Sequence, residues 1–337
     1  VLVLERNGEL GGATRSAYAF EGFEARISVY AYLVSLFPQK IVNDLGLNLK
    51  LKSRRTSSYT PAIQDGQLRE LLLRNDDADH NREAFASLTG DESDYEGYLE
   101  LQAMQERLAS VVWPSLTEPL VSQEEMRGRL DDLGTQAAWQ SLVEQPLGEV
   151  IESKVDSDLV RGLLFTDAKI GVSTHPHDAS LLQNRCYLYH VIGRGTGEWQ
   201  VPVGGMGSLV DELERVARAT GKVTFATGAK VEAIAPDSGN ASLAFEVDGQ
   251  ESEVDAGFVL CNCSARELGR LTGVSMHADS IHEGAGFKVN MLLERLPQLR
   301  SNNGSSAEAF AGTFHVDEGY EQMQDSYDQS SSGEMPA

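Results

Sequence analysis

Cysteine and positive charge are scarce in this sequence, and each shortage excludes a class of protein. Cys186, Cys261 and Cys263 are the three cysteines among 337 residues, too few for the disulfide framework of a small secreted domain. Cys261 and Cys263 form a C-x-C pair rather than C-x-x-C, and small buried residues are the simpler interpretation of all three. Acidic side chains number 51 against 28 basic ones, for a formal net charge of -23. Such a surface repels phosphate backbones, so no nucleic-acid partner is predicted.

Long apolar runs are also missing. No stretch of about 18 apolar residues is present, so no transmembrane segment is predicted. No secretory signal pattern is visible, and the few cysteines suit a reducing compartment, so a cytoplasmic location is predicted. The acidic surface disfavours broad docking on anionic membranes, which leaves a local peripheral contact as the form of membrane association that stays open.

Metal and catalytic patterns are weak. His175 and His177 lie beside Asp178, but Pro176 between the two histidines is typical of a polar turn, and no metal site is predicted. His190 falls in a predicted helix, where it is either a pocket acid or base or a structural histidine, and the structural interpretation is the simpler one. No catalytic residue is identified.

The beginning of the chain predicts a larger protein. The sequence opens with Val1 rather than Met, inside an apparent strand, and it ends in a polar Ser/Gly-rich stretch from Ser301 on, where order is expected to fall. Its length suffices for two domains and a sizeable core. We interpret the chain as a fragment or a mature product of a longer protein.

The first stretch suggests a nucleotide site. Residues 1–4 read as a buried parallel strand, followed by Glu5, a turn and the pair Gly11-Gly12. In a doubly wound nucleotide-binding fold, an acid at the end of the second strand accepts hydrogen bonds from an adenosine ribose, and glycines allow close backbone approach. The usual G-x-G-x-x-G lies about 20 residues before that acid and is not in this sequence. An ordinary buried strand followed by a charged turn therefore stays open as the alternative.

A second glycine-rich stretch opens a helix. Residues 204–208 read Gly-Gly-Met-Gly-Ser and precede an amphipathic segment that ends near Gly221. Helix N-termini favour anions, although no Lys follows these glycines as it does in a Walker loop. Together with the uncharged aromatic run 28–37, this loop is the candidate wall of a substrate pocket, with plain core packing as the alternative. The candidate pocket residues are Tyr30, Tyr32, Gly204, Gly205 and Met206.

The pattern of elements predicts an α/β fold in which a partial doubly wound cofactor domain carries an inserted, largely helical α+β domain. Residues 1–45 and 201–285 are assigned to the cofactor domain, and 46–200 and 286–337 to the substrate or cap domain with a polar tail. The boundaries follow the change from α/β patterns to a helical block of about 100 residues.

Two more apolar runs are predicted as strands. Residues 257–262 read as a buried strand of the cofactor domain, and residues 287–293 as the last clear strand. Both runs are rich in strand-forming residues, and neither has a helical period.

Taken together, three stretches resemble one family. They are Leu4-Glu5-Arg6 with Gly11-Gly12, then residues 201–209, then residues 228–234. In this order they resemble the FAD-dependent phytoene dehydrogenase-like oxidoreductases, part of the flavin amine oxidase superfamily. The branch called pyridine nucleotide-disulfide oxidoreductase domain-containing protein 2 is the most similar. Further counterparts in that branch are residues 28–38, 166–171, 288–290 and 294–297.

The resemblance implies non-covalent FAD. Glu5, with Arg6 in the same motif, would bind the adenosine ribose, while Gly11 and Gly12 would pass under the pyrophosphate and ribityl chain. Val231 would meet the adenine through its backbone amide and carbonyl. The family often has a basic residue directly after the glycine pair. Arg15 is the nearest substitute here, because Ala13 occupies that position.

The resemblance also implies an activity. The expected enzyme is an FAD-dependent dehydrogenase or desaturase that transfers hydride from an apolar, isoprenoid or lipid-like substrate to flavin N5. Two alternatives stay open: a flavin amine oxidase, and a flavin-fold binding or interaction protein without turnover. Since the G-x-G-x-x-G and the C-terminal part of the family are not in the sequence, the fragment itself is expected to bind FAD weakly or not at all and to be inactive.

Overall fold

The structure, a computed structural model, describes residues 1–64, 66–274, 286–300 and 305–336. The chain mixes helices and strands throughout, as predicted. The strands are β1 (Leu2–Glu5), β2 (Ser16–Tyr18), β3 (Arg26–Ser28), β4 (Leu51–Ser53), β5 (Thr56–Gln64), β6 (Gln67–Arg74), β7 (Gln200–Pro202), β8 (Thr224–Thr227), β9 (Lys230–Asp237), β10 (Asn240–Val247), β11 (Gln250–Ala256) and β12 (Thr313–Phe314). The α-helices are α1 (Gln39–Leu45), α2 (Ala78–Thr89), α3 (Ser93–Val112), α4 (Gln123–Arg127), α5 (Leu133–Trp139), α6 (Leu147–Lys154), α7 (Asp158–Thr166), α8 (Leu182–Val191), α9 (Gly207–Ala219), α10 (Ala265–Thr272), α11 (Ser306–Ala309) and α12 (Tyr320–Ser331).

The chain divides into two compact units, each made of three segments. The first unit comprises Val1–Tyr32, Leu45–Lys50 and Pro202–Glu283. The second unit comprises Leu33–Asp44, Leu51–Val201 and Gly284–Ala337. The assignment of the first unit to the cofactor and of the second to the substrate stays a prediction.

The first unit is built on a parallel strand pair. β1 runs parallel to β8 in a register that places Leu2 beside Thr224 and Glu5 beside Thr227. The amphipathic helix α9 lies between these strands in the chain and ends before Gly221 in the left-handed region. β9, β10 and β11 form a separate antiparallel sheet. Its β10–β11 turn places Asp248 and Gly249 at positive φ, the geometry of a tight hairpin.

The core of the second unit is helical, and its buried apolar residues come mainly from α3, α5, α6 and α7. A three-stranded sheet adjoins it, in which β5 pairs antiparallel with β6 and parallel with β12. Asp94 of α3 fixes the start of α7, because its buried carboxylate accepts the amides of Asp156 at 2.6 Å and Ser157 at 3.0 Å. Among the described residues no helix is both long and apolar enough to cross a membrane.

Two predicted strands are wrong. Residues 257–262 and 287–293 form no strand, and most of their apolar side chains face solvent, with Phe258 95% and Leu260 97% exposed. The physical reason is that a strand needs a ladder partner. β1 pairs with β8 alone within the described part of the chain, so the run 257–262 joins no sheet there.

The expected loss of order after Ser301 is also wrong for residues 305–336. These residues form α11, β12 and α12, and Tyr320 is buried in the helical core against Phe165 of α7. Composition alone misleads here, because a few buried side chains hold an otherwise polar segment in place.

The cysteines separate into two environments, and the interpretation of all three as buried is wrong for two of them. Cys186 is buried in α8, whereas Cys261 and Cys263 are exposed. Burial, followed by the charge of Asp167, raises the pKa of the Cys186 thiol to about 11.

We expect thiol alkylation to follow this division. At pH 8 only about one Cys186 thiol in a thousand is ionised, and the thiolate is the form that reacts. Iodoacetamide should therefore label Cys261 and Cys263 in the folded protein and Cys186 only after addition of urea, as read by mass spectrometry. Equal labelling rates for Cys186 and Cys261 in the folded protein would contradict this placement.

Candidate flavin site of the first unit

Glu5 ends β1 with a carboxylate at the protein surface. Its Oε1 accepts the backbone amide of Asn7 at 2.7 Å and the Asn7 side-chain amide at 2.8 Å. Its backbone carbonyl accepts the amide of Ala229 at 2.8 Å, which ties the end of β1 to the start of β9. Within the described ranges no partner is recorded for Oε2 of Glu5, so one carboxylate oxygen is available to a ligand donor.

Gly11 and Gly12 have different structural reasons to be glycine. Gly11 has a φ of 107°, and a Cβ there would lie 2.7 Å from Cγ2 of Val210 in α9, so the turn packs directly on that helix. Gly12 has a φ of 50°, and a Cβ there would meet no atom within 4 Å. Gly11 therefore serves packing, whereas Gly12 presents bare backbone toward open space.

The two candidate arginines of this stretch differ in their contacts. Arg15 Nη1 lies 3.4 Å from Oε2 of Glu9, which closes the turn between them. Arg6 is exposed, and its charge adds to the hydrogen bond from Arg270 in lowering the pKa of Glu267 in α10. Both cations thus lie near carboxylates of the same unit.

The N-terminus of α9 is occupied by hydroxyl groups of the β2–β3 hairpin. The amide of Met206 donates to Oγ of Ser28 at 3.1 Å, and the amide of Gly207 donates to Oγ of Ser16 at 2.9 Å. The amide of Ser208 donates to the carbonyl of Gly205 at 3.1 Å. These amides are satisfied inside the protein, so this helix end has none of them to offer an anion.

Sequence reasoning missed that Ser16 and Ser28 hold this loop in place. Ser16 lies 191 residues from its partner Gly207, and no local pattern signals such a contact. A Cβ on Gly207 would lie 2.9 Å from the backbone nitrogen of Ser16, so the loop and the hairpin are in direct contact. Gly205 and Gly207 are therefore explained by packing, and Gly204 by its positive φ of 91°.

We expect Ser16→Ala to lower the free energy of unfolding by about 1–2 kcal/mol, because the buried Gly207 amide loses its acceptor. Urea unfolding followed by circular dichroism measures the change. Ser238→Ala, in an exposed turn of the same unit, is the matched control and should stay within about 0.5 kcal/mol of the unmodified protein. Equal effects of the two substitutions would contradict the role of Ser16.

The candidate pocket residues all lie in the first unit. Tyr30 and Tyr32 are 54% and 53% exposed, and the segment that carries them runs beside residues 13–15, with the Ala31 amide donating to the carbonyl of Ala13 at 3.0 Å. Gly204 and Gly205 have φ values of 91° and 77° in the turn before α9, and Met206 after them is buried. Their role as pocket walls stays a prediction.

Val231 lies near the start of β9, opposite Phe245 of β10, and its side chain is partly buried. The ladder shifts register between Ala244 and Phe245, an irregularity of the kind that re-aims backbone groups beside binding sites. Since Ala229 bonds to Glu5, only one residue separates Val231 from the contact that joins β9 to β1. The hydrogen bond between Ala229 and Glu5 thus holds Glu5 and Val231, two of the predicted adenosine contacts, close together.

The described residues of this unit hold no metal cluster, and the depression in their surface is shallow. Within the described ranges no group of three or more His, Cys, Asp or Glu side chains is arranged to hold a metal ion. A shallow depression of about 540 Å³ lies at β9, β10 and α10, with Ile234, Val259 and Leu268 among the residues that line it.

Comparison with known proteins identifies the family. The model of flavin containing amine oxidoreductases matches residues 1–326, so the chain belongs to that family. The predicted superfamily, the α/β fold class and FAD as the cofactor are thereby confirmed.

Sequence relatives extend beyond this chain. An uncharacterized protein of Mycobacterium tuberculosis is 40% identical over 339 residues, which cover 100% of this chain and 62% of the relative. The rat pyridine nucleotide-disulfide oxidoreductase domain-containing protein 2 is 30% identical over 258 residues, covering 68% of this chain and 44% of the relative. The chain therefore spans less than two thirds of the length of these relatives.

Solved structures of two oxidases align with part of the chain. A putrescine oxidase triple mutant aligns over 76% of this chain and 50% of its own, with 17% identity and a TM-score of 0.43. Cyclohexylamine oxidase from Brevibacterium oxydans aligns over 75% of this chain and 50% of its own, with 19% identity and a TM-score of 0.42.

Proposed function

We propose that the whole protein is an FAD-dependent oxidoreductase of dehydrogenase or desaturase type, and that the first unit supplies the adenosine part of its cofactor site. The single observation that carries the assignment is the carboxylate of Glu5 at the end of β1. One of its oxygens is fixed by Asn7 and the other is available. A carboxylate so held is oriented before a ligand arrives, which lowers the cost of binding ribose hydroxyls.

The neighbouring residues fit the same ligand. Gly12 presents backbone to open space where the cofactor chain would pass, and Val231 would offer its amide and carbonyl to the adenine. Arg6 and Arg15 bring positive charge to the same stretch, as a pyrophosphate requires. The amides that open α9 take no part, because Ser16 and Ser28 already accept them.

The chemistry comes from the cofactor. When bound, FAD supplies a flavin that accepts hydride from a C–H bond held against the ring. The residues of the chain bind the cofactor, orient it and exclude water from it, and no catalytic side chain is assigned to the first unit.

The substrate we propose is a small apolar molecule of isoprenoid or lipid-like type, as the resemblance to phytoene dehydrogenase-like proteins favours. The family description names amine oxidoreductases, so oxidation of an amine is the second candidate. We further propose a cytoplasmic location, which suits the few cysteines. The net charge of -23 suits a protein with no nucleic-acid partner and, at most, peripheral membrane contact.

Anaerobic bleaching of the flavin tests the proposal and separates the candidates. The purified full-length protein is mixed without oxygen with lipids, carotenoid precursors and amines, and loss of the oxidised flavin absorbance is followed. We expect an apolar compound to bleach the flavin. Bleaching by amines alone would replace the proposed substrate with the second candidate, and bound flavin that no compound bleaches would favour a binding protein without turnover.

A further inference from the structure

A buried polar cluster in the second unit is not used by the flavin site. Glu318 is 5% exposed, and its Oε1 accepts the hydroxyl of Thr166 while its Oε2 accepts the hydroxyl of Thr60 at 2.9 Å. The Nδ1 atom of His315 lies 2.7 Å from Oε2 of Glu318 and 3.0 Å from Oγ1 of Thr60. A buried carboxylate thus receives hydrogen bonds from three side chains on separate segments.

The backbone holds this cluster rigidly. β12 pairs with β5 so that Phe314 lies beside Tyr59, and the amide of His315 donates to the carbonyl of Tyr59 at 2.9 Å. The carbonyl of Glu318 is in direct contact with α7, where a Cβ on Gly162 would lie 1.7 Å from it. The imidazole and the carboxylate are therefore positioned by the fold.

The hydrogen bonds determine which ring nitrogen of His315 carries the proton. Thr60 has one hydroxyl proton, and Glu318 Oε2 receives it, so Oγ1 can only accept from His315. An ionised carboxylate likewise only accepts. Because both Thr60 Oγ1 and Glu318 Oε2 can only accept, Nδ1 of His315 must carry the proton. In the neutral ring, Nε2 then has no proton and is a hydrogen-bond acceptor.

No hydrogen-bond partner of His315 Nε2 is recorded among the described residues, and the His315 side chain is 14% exposed to solvent. The carboxyl group of Asp167 belongs to the same cluster. It interacts electrostatically with four side chains, those of His190, His315, Glu318 and Arg54. Burial raises the pKa of the Asp167 carboxyl, although His190 and His315 oppose that shift. The cluster therefore combines carboxylate and imidazole groups in a largely buried environment.

We propose that His315 is a hydrogen-bond-accepting residue of the second unit. Glu318 and Thr60 fix the proton on its Nδ1, and its Nε2 accepts a hydrogen bond from the alcohol or amine group of a bound molecule. The bound molecule keeps its proton, so no bond is broken in this contact. This inference does not depend on whether the first unit binds flavin.

The tautomer of His315 is the first test. Long-range proton–nitrogen NMR of the 15N-labelled chain distinguishes a protonated ring nitrogen from a bare one. We expect the neutral ring of His315 to carry its proton on Nδ1, the opposite of the tautomer that free histidine favours. A neutral His315 with its proton on Nε2 would overturn the proposal, and this result needs no variant that might fail to fold.

Modification by diethyl pyrocarbonate is the second test, because the reagent attacks a bare imidazole nitrogen. Mass spectrometry should find His315 carbethoxylated in the folded protein. Glu318→Gln, which replaces the carboxylate beside Nδ1 with a neutral amide and so no longer fixes the proton there, should slow the modification of His315 by roughly fivefold or more.

Thr166→Val is the matched control. It removes the donor to Oε1 of Glu318 and leaves both contacts of His315 Nδ1, so the rate at His315 should stay within about twofold of the unmodified protein. Modification of His315 that is absent, or that is equally fast with and without the Glu318 carboxylate, would overturn the proposal.

Discussion

Gly162→Ala is expected to destabilise the second unit by at least about 3 kcal/mol, or to prevent its folding. A Cβ at this position would lie 1.7 Å from the carbonyl oxygen of Glu318 and 3.0 Å from the backbone nitrogen of Tyr320. Both are backbone atoms, so no side-chain rotation relieves the overlap. α7 would have to move away from the segment before α12, which exposes the buried Tyr320 and separates Thr166 from Glu318.

The urea concentration at half unfolding measures this effect. Gly128→Ala is the control, because the nearest atoms to a Cβ there lie at the ordinary distances of 3.4 and 3.5 Å and its φ is -65°. We expect the control to stay within about 1 kcal/mol of the unmodified protein. If Gly162→Ala unfolds at the same urea concentration as the control, the close packing of α7 on the C-terminal segment is refuted.

Glu5→Ala is expected to weaken FAD binding by the complete protein roughly 30- to 1,000-fold, or about 2–4 kcal/mol. Two charge-assisted hydrogen bonds to ribose hydroxyls, each worth about 1.5–3 kcal/mol, would be lost together. Because the recorded hydrogen bonds of the Glu5 side chain within the described chain go to Asn7, two residues away, the fold should survive the substitution.

Fluorescence titration of the apo-protein with FAD measures this loss. Glu21→Ala, which removes an exposed carboxylate in the turn between β2 and β3, is the control for net charge. It should leave the dissociation constant unchanged within about twofold. A Glu5→Ala protein whose dissociation constant equals that of Glu21→Ala would show that Glu5 is an ordinary strand terminus.

The elements that the sequence predicted well are those with a local cause. The parallel strand that ends at Glu5 and the amphipathic helix α9 each follow from a pattern within about a dozen residues, although the predicted burial of the strand is wrong at its start, where Val1 is 85% and Leu2 42% exposed. Their periods and turn residues act on the neighbouring backbone, so no knowledge of distant partners is needed.

The elements that it predicted wrongly depend on distant partners. The runs 257–262 and 287–293 have the composition of strands, yet a run becomes a strand only when another strand accepts its backbone hydrogen bonds. The contact between Ser16 and Gly207 and the contact between Thr60 and His315 join residues 191 and 255 apart, and no window of sequence contains both partners. The order of residues 305–336 has the same cause, because Glu318 and Tyr320 are held by segments far away in the chain.

The content of flavin in the purified full-length protein tests the central claim most directly. The protein is expected to show the absorbance spectrum of oxidised flavin and to release close to one FAD per chain on denaturation, identified by chromatography. A colourless protein that releases no FAD, and whose apo-form does not quench the fluorescence of added FAD, would contradict the assignment of the first unit to a flavin site.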